Sequence, residues 1–175
     1  MEIDELIELV ELHGKAIYGF CYNLTRNKED ADDLYQDTFL KAAELRHKMD
    51  MSGNPKAFLI SIAIRLHRNS RRKLAWRRKI AHPIQLDEAG GYYPGSLACN
   101  ENPEDALLSQ ELRTMIQKAA DQLDDKLKLP LIMYYAVDMT IEEIASTLSI
   151  PGGTVKSRLH KARRIMRNVV GDDSI

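Results

Sequence analysis

This 175-residue sequence has few of the residues that build a disulfide framework, a zinc site or a membrane span. Its two cysteines, Cys21 and Cys99, lie far apart and form no CxxC motif. Such a pair argues against a disulfide or zinc framework and fits a reducing cytoplasm. No apolar run approaches the roughly 20 residues of a membrane-spanning helix, and the acidic, amphipathic N-terminus does not resemble a signal peptide. We therefore expect a cytoplasmic protein.

The sequence also lacks the arrangements that commonly carry catalysis or hold a cofactor. Its five histidines are scattered and form no HxxxH or HExxH motif. The Gly152-Gly153 pair lacks the rest of any phosphate-binding fingerprint. Neither Ser157 nor Cys21 has an evident base nearby in sequence. The sequence therefore predicts a protein that is not an enzyme and that uses no metal, no cofactor and no small-molecule substrate.

The net charge of the whole chain is only -1, but positive and negative residues are concentrated in different segments, and one long segment has no acidic residue. Residues 51–80 hold nine basic and no acidic side chains, and residues 151–175 have a net charge of +4. Residues 81–106 hold five acidic and no basic side chains, and residues 1–50 have a net charge of -6. The simplest interpretation is two DNA contacts joined by a segment that DNA repels. Random placement of surface charge is the alternative, and nine cations without one anion argue against it.

Residues 138–168 show the pattern of two short helices joined by a turn. Thr140 followed by Glu143 predicts a capping box at the first helix. Leu148-Ser149-Ile150 then leaves that helix, and Pro151 suits the first turn of the next one. In a helix-turn-helix the start of the second helix meets base edges, while neighbouring cations meet phosphates. An ordinary helical hairpin with a solvated basic helix is the alternative. The predicted apolar face of the second helix consists of Val155, Leu159, Ala162, Met166 and Val169.

A helix predicted over residues 28–48, with Asn27 as its N-cap, carries a different signal. Its outward face combines carboxylates and an amide with one central leucine, and this combination suits docking against a basic protein partner. DNA is disfavoured because its phosphates would repel the carboxylates. A solvated acidic helix with one stray leucine is the alternative. The outward residues are Asp33, Gln36, Asp37, Leu40 and Glu44.

Two more helices complete a predicted N-terminal core. The first spans about residues 3–24, with Leu6, Val10, Ile17, Phe20 and Leu24 expected to point inward. The third spans Pro55–Arg78 and is capped at Asn54. Trp76 on the third helix can stack on a base or pack against the first helix. The third helix also carries side chains that can follow a nucleic-acid backbone or bond a base: Arg65, Arg68, Asn69, Arg71, Arg72 and Lys73.

The middle of the chain has the composition of a linker, with Pro83, Gly90-Gly91 and Pro94-Gly95 among acidic residues. Helical spacing resumes near Pro103, and a further helix is predicted over residues 126–137 with Pro130 in its first turn. No segment shows convincing period-two alternation. The predicted fold is all-α, with two small helical domains joined by a flexible linker, the second containing the helix-turn-helix.

Three segments in this order resemble a bacterial sigma factor of the extracytoplasmic-function group. They are DADDLYQDTFLKA, FLISIAIRLHRNSRRK and LPLIMYYAVDMTIEEIASTLSIPGGTVKSRLHKARRIM. The three together, with a linker of the expected length, are far more specific than any one alone. The resemblance implies a region 2 domain at residues 1–78, an acidic linker at 79–102 and a region 4 domain at 103–175.

The resemblance also implies roles for individual residues. Core RNA polymerase, through the clamp helices of its largest subunit, would bind Asp33, Gln36, Asp37 and Leu40. The loop from Met49 to Lys56 and the third helix would recognise and open the minus-ten element and hold a flipped base, with Lys56, Arg65, Arg68, Asn69, Arg72 and Lys73 as DNA contacts. The last helix would recognise the minus-thirty-five element through Gly153, Thr154, Lys156, Ser157, Arg158, Lys161 and Arg164. The acidic linker would run toward the polymerase cleft, where its charge can imitate a transcript.

The resemblance further implies an anti-sigma factor, often held at the membrane. Helical spacing places Arg158 at the margin of the outward face of the last helix, so we assign it to a phosphate or to an intramolecular pair. Arg65 stands where many relatives have Asn, so it is expected either to shift the minus-ten preference or only to add phosphate affinity. The Gly152-Gly153 pair is expected to loosen the start of its helix. A free-standing helix-turn-helix regulator is the alternative function, but it leaves the acidic face and the linker without a role.

Overall fold

The structure is a computed structural model, and it describes residues 3–45, 54–80, 115–116 and 118–170. Within these ranges the regular structure is helical and contains no strand. The chain divides into two compact units, Met1–Tyr93 and Pro94–Ile175. The predicted all-α class with two helical domains is therefore confirmed. Residues 81–102 of the predicted linker lie outside the described residues, so the domain boundaries stay predictions.

The first unit contains three helices that pack against one another: α1 (Ile3–Thr25), α2 (Lys28–Glu44) and α3 (Pro55–Ile80). Their shared core is aliphatic and aromatic, and α2 contributes Leu34 and Phe39 to it. Among its largest fully buried side chains are Ile17, Phe20, Leu59 and Ile60. Because three helices each bury one face on the others, their remaining faces are free to act on partners.

Two asparagines begin α2 and α3, as predicted. Asn27 lies in the extended region, and its side chain accepts hydrogen bonds from the backbone N–H groups of Glu29 and Asp30. Asn54 accepts the N–H of Ala57 at 2.9 Å. These caps satisfy N–H groups that have no partner within the helix. The predicted end of α2 at Lys48 is wrong, because the helix ends at Glu44 and the N–H of its C-cap, Leu45, closes the last turn on the carbonyl of Lys41.

One inward position of α1 differs from the prediction. Leu9 is buried, with 3% of its surface exposed, whereas Val10 is 36% exposed. Both residues fit a helical repeat, but neighbours lie about 100° apart around the axis. The packing of α2 and α3 selects the Leu9 side, and Ile17, Phe20 and Leu24 are buried as expected. Leu6 is not among the side chains that the structure describes.

The second unit contains α4 (Asp125–Tyr135), α5 (Ile141–Leu148) and α6 (Gly152–Val170), preceded by helical residues at 118–121. Helix α6 packs on both α4 and α5. The predicted inner face of α6 is correct for Val155, Leu159 and Ala162, which are buried. Met133, Met139 and Ile144 complete this core from α4, the following turn and α5.

Pro130 is not in the first turn of its helix, and this prediction is wrong. The side chain of Asp124 accepts the N–H of Leu127 at 3.0 Å and starts α4 earlier than expected. Pro130 is therefore the sixth residue of α4, where its missing N–H leaves the carbonyl of Lys126 without its usual helical partner. Pro130 is fully buried, so its apolar contacts offset part of that cost.

The turn between α5 and α6 follows the predicted chemistry closely. Thr140 donates its N–H to Glu143 at 2.7 Å, and Glu143 donates its N–H to the Thr140 hydroxyl at 3.2 Å, which completes the capping box. Ser149 ends α5 in the left-handed region, with φ of 54°. Pro151 lies just before α6 rather than in its first turn, because its carbonyl accepts the first helical N–H groups, those of Thr154 and Val155.

Candidate functional site

The acidic face of α2 consists of Asp33, Gln36, Asp37 and Leu40, and all four side chains are exposed. Leu40 is 65% exposed and lies among the carboxylates, as the sequence predicts. On the opposite side of α2, Leu34, Thr38 and Phe39 are buried. The Thr38 hydroxyl donates to the Leu34 carbonyl at 2.6 Å, so this buried polar group is satisfied. The structure thus brings the four predicted residues together on one surface.

Aromatic contacts hold α2 against α1 in a fixed rotation. The Tyr18 hydroxyl donates to Asp32 at 2.8 Å. The Tyr35 ring meets those of Tyr18 and Phe39 edge to face, at centroid distances of 5.6 and 4.9 Å. Its hydroxyl covers Gly14, where an added Cβ would lie only 2.8 Å from that oxygen. A residue larger than glycine at position 14 would therefore require the Tyr35 side chain to shift.

Burial shifts the pKa of two groups in this core. It raises the pKa of Tyr35, with a smaller contribution from Cys21. It also raises the pKa of the Cys21 thiol to about 12, so Cys21 stays protonated at neutral pH and is a poor nucleophile. Cys21 is therefore a core residue rather than a reactive one.

The basic stem is the part of α3 from Arg65 to Lys79. The buried residues of α3 end at Ile64, and every described side chain from Arg68 to Lys79 is exposed. This exposed part extends about 18 Å along the axis. Like charges four residues apart, such as Arg68 and Arg72, repel each other, and an external polyanion would relieve this repulsion. Five of the predicted minus-ten contacts lie on the stem and are exposed: Arg65, Arg68, Asn69, Arg72 and Lys73.

Lys56 belongs to a different place from the other predicted minus-ten residues. It lies in the first turn of α3, about 13 Å along the axis from Arg65. It is half-buried near His13 of α1. Burial, and to a smaller degree the charge of Lys56, lower the pKa of His13 and favour its neutral form. The loop before Lys56, at residues 49–53, lies outside the described residues.

The recognition face of α6 is the outward surface opposite Val155 and Leu159. Thr154 and Arg158 are half-buried at its margin, which agrees with the marginal position predicted for Arg158. Among the described residues, no carboxylate forms an ion pair with Arg158. The capping box and the Ser149 turn orient this face through α5. Its exposed members are Gly153, Lys156, Ser157, Lys161 and Arg164.

One contact of α6 was not predicted. The Arg163 guanidinium lies 5.8 Å from the Tyr134 ring centroid and 5.7 Å from that of Tyr135. These distances fit cation–π contacts that tie α6 to the end of α4. The adjacent tyrosines are a visible sequence signal, but they do not indicate which cation they meet. Arg163 therefore has a role in orienting α6, in addition to its charge.

Other kinds of site receive no support within the described residues. No group of three or more His, Cys, Asp or Glu side chains is placed to hold a metal ion in that part of the chain. No helix in the described ranges is both long and apolar enough to cross a membrane.

Comparison with known families and proteins shows which family the chain belongs to. The sigma-70 region 2 family matches residues 9–77, and the sigma-70 region 4 family matches residues 113–166. The ECF RNA polymerase sigma factor SigW of Bacillus subtilis is 30% identical over 173 residues, which cover 97% of this chain and 90% of SigW. The chain belongs to the ECF RNA polymerase sigma factors. Members of this family are transcription initiation factors that bind core RNA polymerase and promoter DNA.

Two solved structures share the fold of this ECF sigma factor. The sigma factor RpoE of Bartonella quintana, solved with the anti-sigma factor NepR, has a TM-score of 0.79 at 22% identity and covers 97% of this chain and 98% of its own. CnrH, solved with the cytosolic domain of CnrY, has a TM-score of 0.68 at 19% identity and covers 99% and 92%. The predicted family and function are confirmed, and a free-standing regulator is not favoured because region 2 is present.

Proposed function

We propose that this sigma factor divides its work among the three charged surfaces: the acidic face binds core polymerase, and the basic stem and the recognition face bind promoter DNA. The observation that carries the proposal is the separation of opposite charges onto different exposed helix faces. A surface of one sign attracts its partner and repels ligands of its own sign. Promoter-directed initiation needs both kinds of contact at once.

The acidic face fits a protein partner with basic residues, which in core polymerase would be the clamp helices of the largest subunit. Leu40 supplies a central apolar anchor, and Asp33, Gln36 and Asp37 supply a polar rim around it. Interfaces are commonly built in this way, with an apolar centre and a solvated edge. DNA is a poor partner here because two of the four side chains are carboxylates.

The basic stem fits the minus-ten element. Its exposed cations can follow phosphates, and Asn69 can hydrogen-bond a base edge among them. Lys56 lies apart from the stem, so we assign it to the other end of the same DNA segment, next to residues 49–53 of the predicted loop. This loop would hold a flipped base. Arg65 adds phosphate affinity at the edge of the stem nearest the core.

The recognition face fits the major groove at the minus-thirty-five element. In a helix-turn-helix the N-terminal part of the second helix faces base edges. On α6 this part offers Ser157 and Lys161 toward the groove, with Lys156 and Arg164 beside them. Gly153 lies at the helix start, where its backbone N–H can meet a phosphate, and Thr154 lies next to it. Arg158 at the margin is assigned to a phosphate.

The linker at residues 79–102 would couple the two DNA contacts. Once core polymerase holds the chain, each DNA-binding domain raises the effective concentration of the other at the promoter. The mechanism needs binding energy only, so we assign no catalytic step and no cofactor to the chain. We place its action in the cytoplasm, with core polymerase and chromosomal DNA. An anti-sigma factor is a further partner, since RpoE, a neighbour in fold, was solved in complex with an anti-sigma factor.

Run-off transcription with purified core polymerase tests the proposed function. Core polymerase alone is compared with core polymerase plus the full chain, on a library of promoter fragments. We expect defined transcripts only when the chain is present, with start sites downstream of shared minus-thirty-five and minus-ten sequences. Sequencing the DNA retained by the reconstituted holoenzyme gives those sequences. The absence of any chain-dependent transcript across the library would contradict the proposal.

A further inference from the structure

We propose that Trp76 is a stacking platform for an unpaired promoter base, and that it extends the DNA contact of the basic stem by one helical turn. The inference rests on the proposed minus-ten role of the stem and deepens it. Trp76 is the single tryptophan of the chain, and 66% of its surface is exposed. The alternative that it packs against α1 is therefore wrong.

The position of Trp76 on α3 places it with the DNA-facing residues. It follows Arg72 by four residues and Asn69 by seven, so all three lie on one side of the helix. Lys73, three residues before Trp76, lies on the neighbouring flank. An indole next to cations that hold phosphates is the arrangement by which proteins bind single strands, with bases stacked on the ring.

The exposure of Trp76 also indicates what kind of DNA it meets. A large exposed aromatic ring costs free energy in water, and it is commonly covered when the partner binds. Contacts between the cations of the stem and DNA phosphates give affinity for any DNA, but these contacts leave the indole ring exposed. A duplex hides its base faces within the stack, whereas an opened strand exposes them. Unpaired bases are therefore the ligand that matches both the charge and the ring.

The stem provides its own control residue. Leu74 is 46% exposed and lies only two residues before Trp76. Two residues correspond to about 200° around a helix, so Leu74 points to nearly the opposite side. A general loss of apolar surface or of helix stability would affect both positions. A specific contact on the DNA side would affect Trp76 alone.

The first experiment uses the emission of Trp76 in the full chain, which reports on this residue without a substitution. The chain is titrated with a single-stranded oligonucleotide, a duplex of the same sequence and an abasic oligonucleotide of the same length. Stacking on a base changes the emission of the indole, whereas phosphate contact alone leaves the ring uncovered. We expect strong quenching by the single strand only. Equal quenching by the abasic oligonucleotide, or none by the single strand, would overturn the proposal.

The second experiment measures holoenzyme affinity for two promoter fragments, one fully paired and one with an unpaired bubble across the minus-ten element. We expect Trp76→Ala to weaken binding to the bubble by roughly five- to 150-fold, the range for one stacked base. Trp76→Phe retains most of the affinity, and Leu74→Ala and all duplex affinities stay close to wild type. If Trp76→Leu binds the bubble as well as Trp76→Phe does, stacking is not the cause.

The two proposals fail in different ways. A wild-type chain that directs no promoter-specific transcript refutes the proposed function whatever Trp76 does. A wild-type chain that directs initiation, together with a Trp76→Ala variant that binds the bubble normally, refutes only the inference about Trp76. Loss of core polymerase binding in Trp76→Ala would also refute it, because it would assign the indole to a protein contact.

Discussion

Helices α2 and α6 are built alike on the inside and differ on the outside. Leu34 and Phe39 bury the inner face of α2, and Val155 and Leu159 bury that of α6. Each helix has a defined start: the Asn27 cap begins α2, and the turn after α5 leads into α6. The outer face of α2 is acidic, and that of α6 is basic. Packing thus fixes how each helix is presented, while the outer residues decide what it binds.

The outer faces also differ in one apolar residue. Leu40 stands in the centre of the acidic face, whereas the exposed residues of the recognition face are polar, charged or glycine. A protein partner can cover a leucine and gain from removing it from water. The phosphates and base edges of DNA mainly offer charge and hydrogen bonds. The comparison therefore indicates a protein ligand for α2 and a nucleic-acid ligand for α6.

The largest expected effect comes from placing a charge at the centre of the acidic face. Leu40→Arg removes the apolar anchor and sets a cation against a basic partner, so we expect affinity for core polymerase to fall by about 100-fold or more. The fold should be intact because 65% of the Leu40 surface is exposed. Co-elution with core polymerase and circular dichroism measure the two properties.

A matched control for Leu40→Arg is available on α1. Leu12 is 71% exposed and lies on the side of α1 away from its buried residues. Leu12→Arg introduces the same charge at another exposed leucine, and we expect it to leave co-elution unchanged. Equal losses from both variants would mean that overall charge governs association and that the acidic face has no special role.

Local chemistry made much of this fold predictable. The caps at Asn27, Asn54 and Thr140 depend on side chains that bond N–H groups two or three residues away, and the sequence shows both partners. The outer faces follow from helical spacing alone. Leu40 was found in this way, because an apolar residue on an acidic face breaks the pattern.

Contacts between distant residues were not predictable in the same way. Three features depend on how helices meet. They are the burial of Leu9 instead of Val10, the position of the Tyr35 hydroxyl against Gly14, and the contact of Arg163 with Tyr134. A single sequence gives periodicity but not the partner across the core. The start of α4 differs from the predicted one by a single residue, because the Asp124 cap begins the helix at Asp125.

The next largest effect separates the two DNA surfaces. Lys161→Ala on the recognition face should reduce discrimination between matched and mismatched minus-thirty-five sequences by roughly five- to 150-fold, the range for a specific base contact. Arg72→Ala on the basic stem should instead lower holoenzyme affinity on all promoters and reduce the slope of affinity against salt by about 1. Binding to a promoter panel at several salt concentrations distinguishes these outcomes.

Arg164→Ala on the recognition face and Arg68→Ala on the basic stem are the comparison variants, each removing a neighbouring cation from the same surface. If Lys161→Ala and Arg72→Ala lose affinity equally across all promoters, the division between base recognition and phosphate binding is wrong. If Lys161→Ala changes only the slope of affinity against salt and leaves discrimination between promoters unchanged, Lys161 binds a phosphate. Ser157 is then the remaining candidate for a base contact on the same face.

The smallest expected effect is a change in stability at two glycines, Gly14 of α1, which faces α2, and Gly153 at the start of α6. An added Cβ at Gly153 meets nothing within 4 Å, so Gly153→Ala should stabilise the second unit by up to about 1 kcal/mol through helix propensity. At position 14 the Tyr35 hydroxyl lies where the added Cβ would be. Gly14→Ala should therefore lower the stability of the first unit, because overpacking costs about 1–3 kcal/mol and exceeds the gain in helix propensity. Hydrogen exchange of α1 and α6 amides measures each change separately.

A double-mutant cycle shows whether the Tyr35 hydroxyl causes the cost at Gly14. In a Tyr35→Phe background the oxygen is gone, so Gly14→Ala should cost less by about 1 kcal/mol or more than it does beside tyrosine. Gly153→Ala should be unaffected by Tyr35→Phe, because it belongs to the other unit. If Gly14→Ala costs the same in both backgrounds, the hydroxyl is not the obstacle, and the Tyr18–Tyr35 ring contact is then the one that holds α2 against α1.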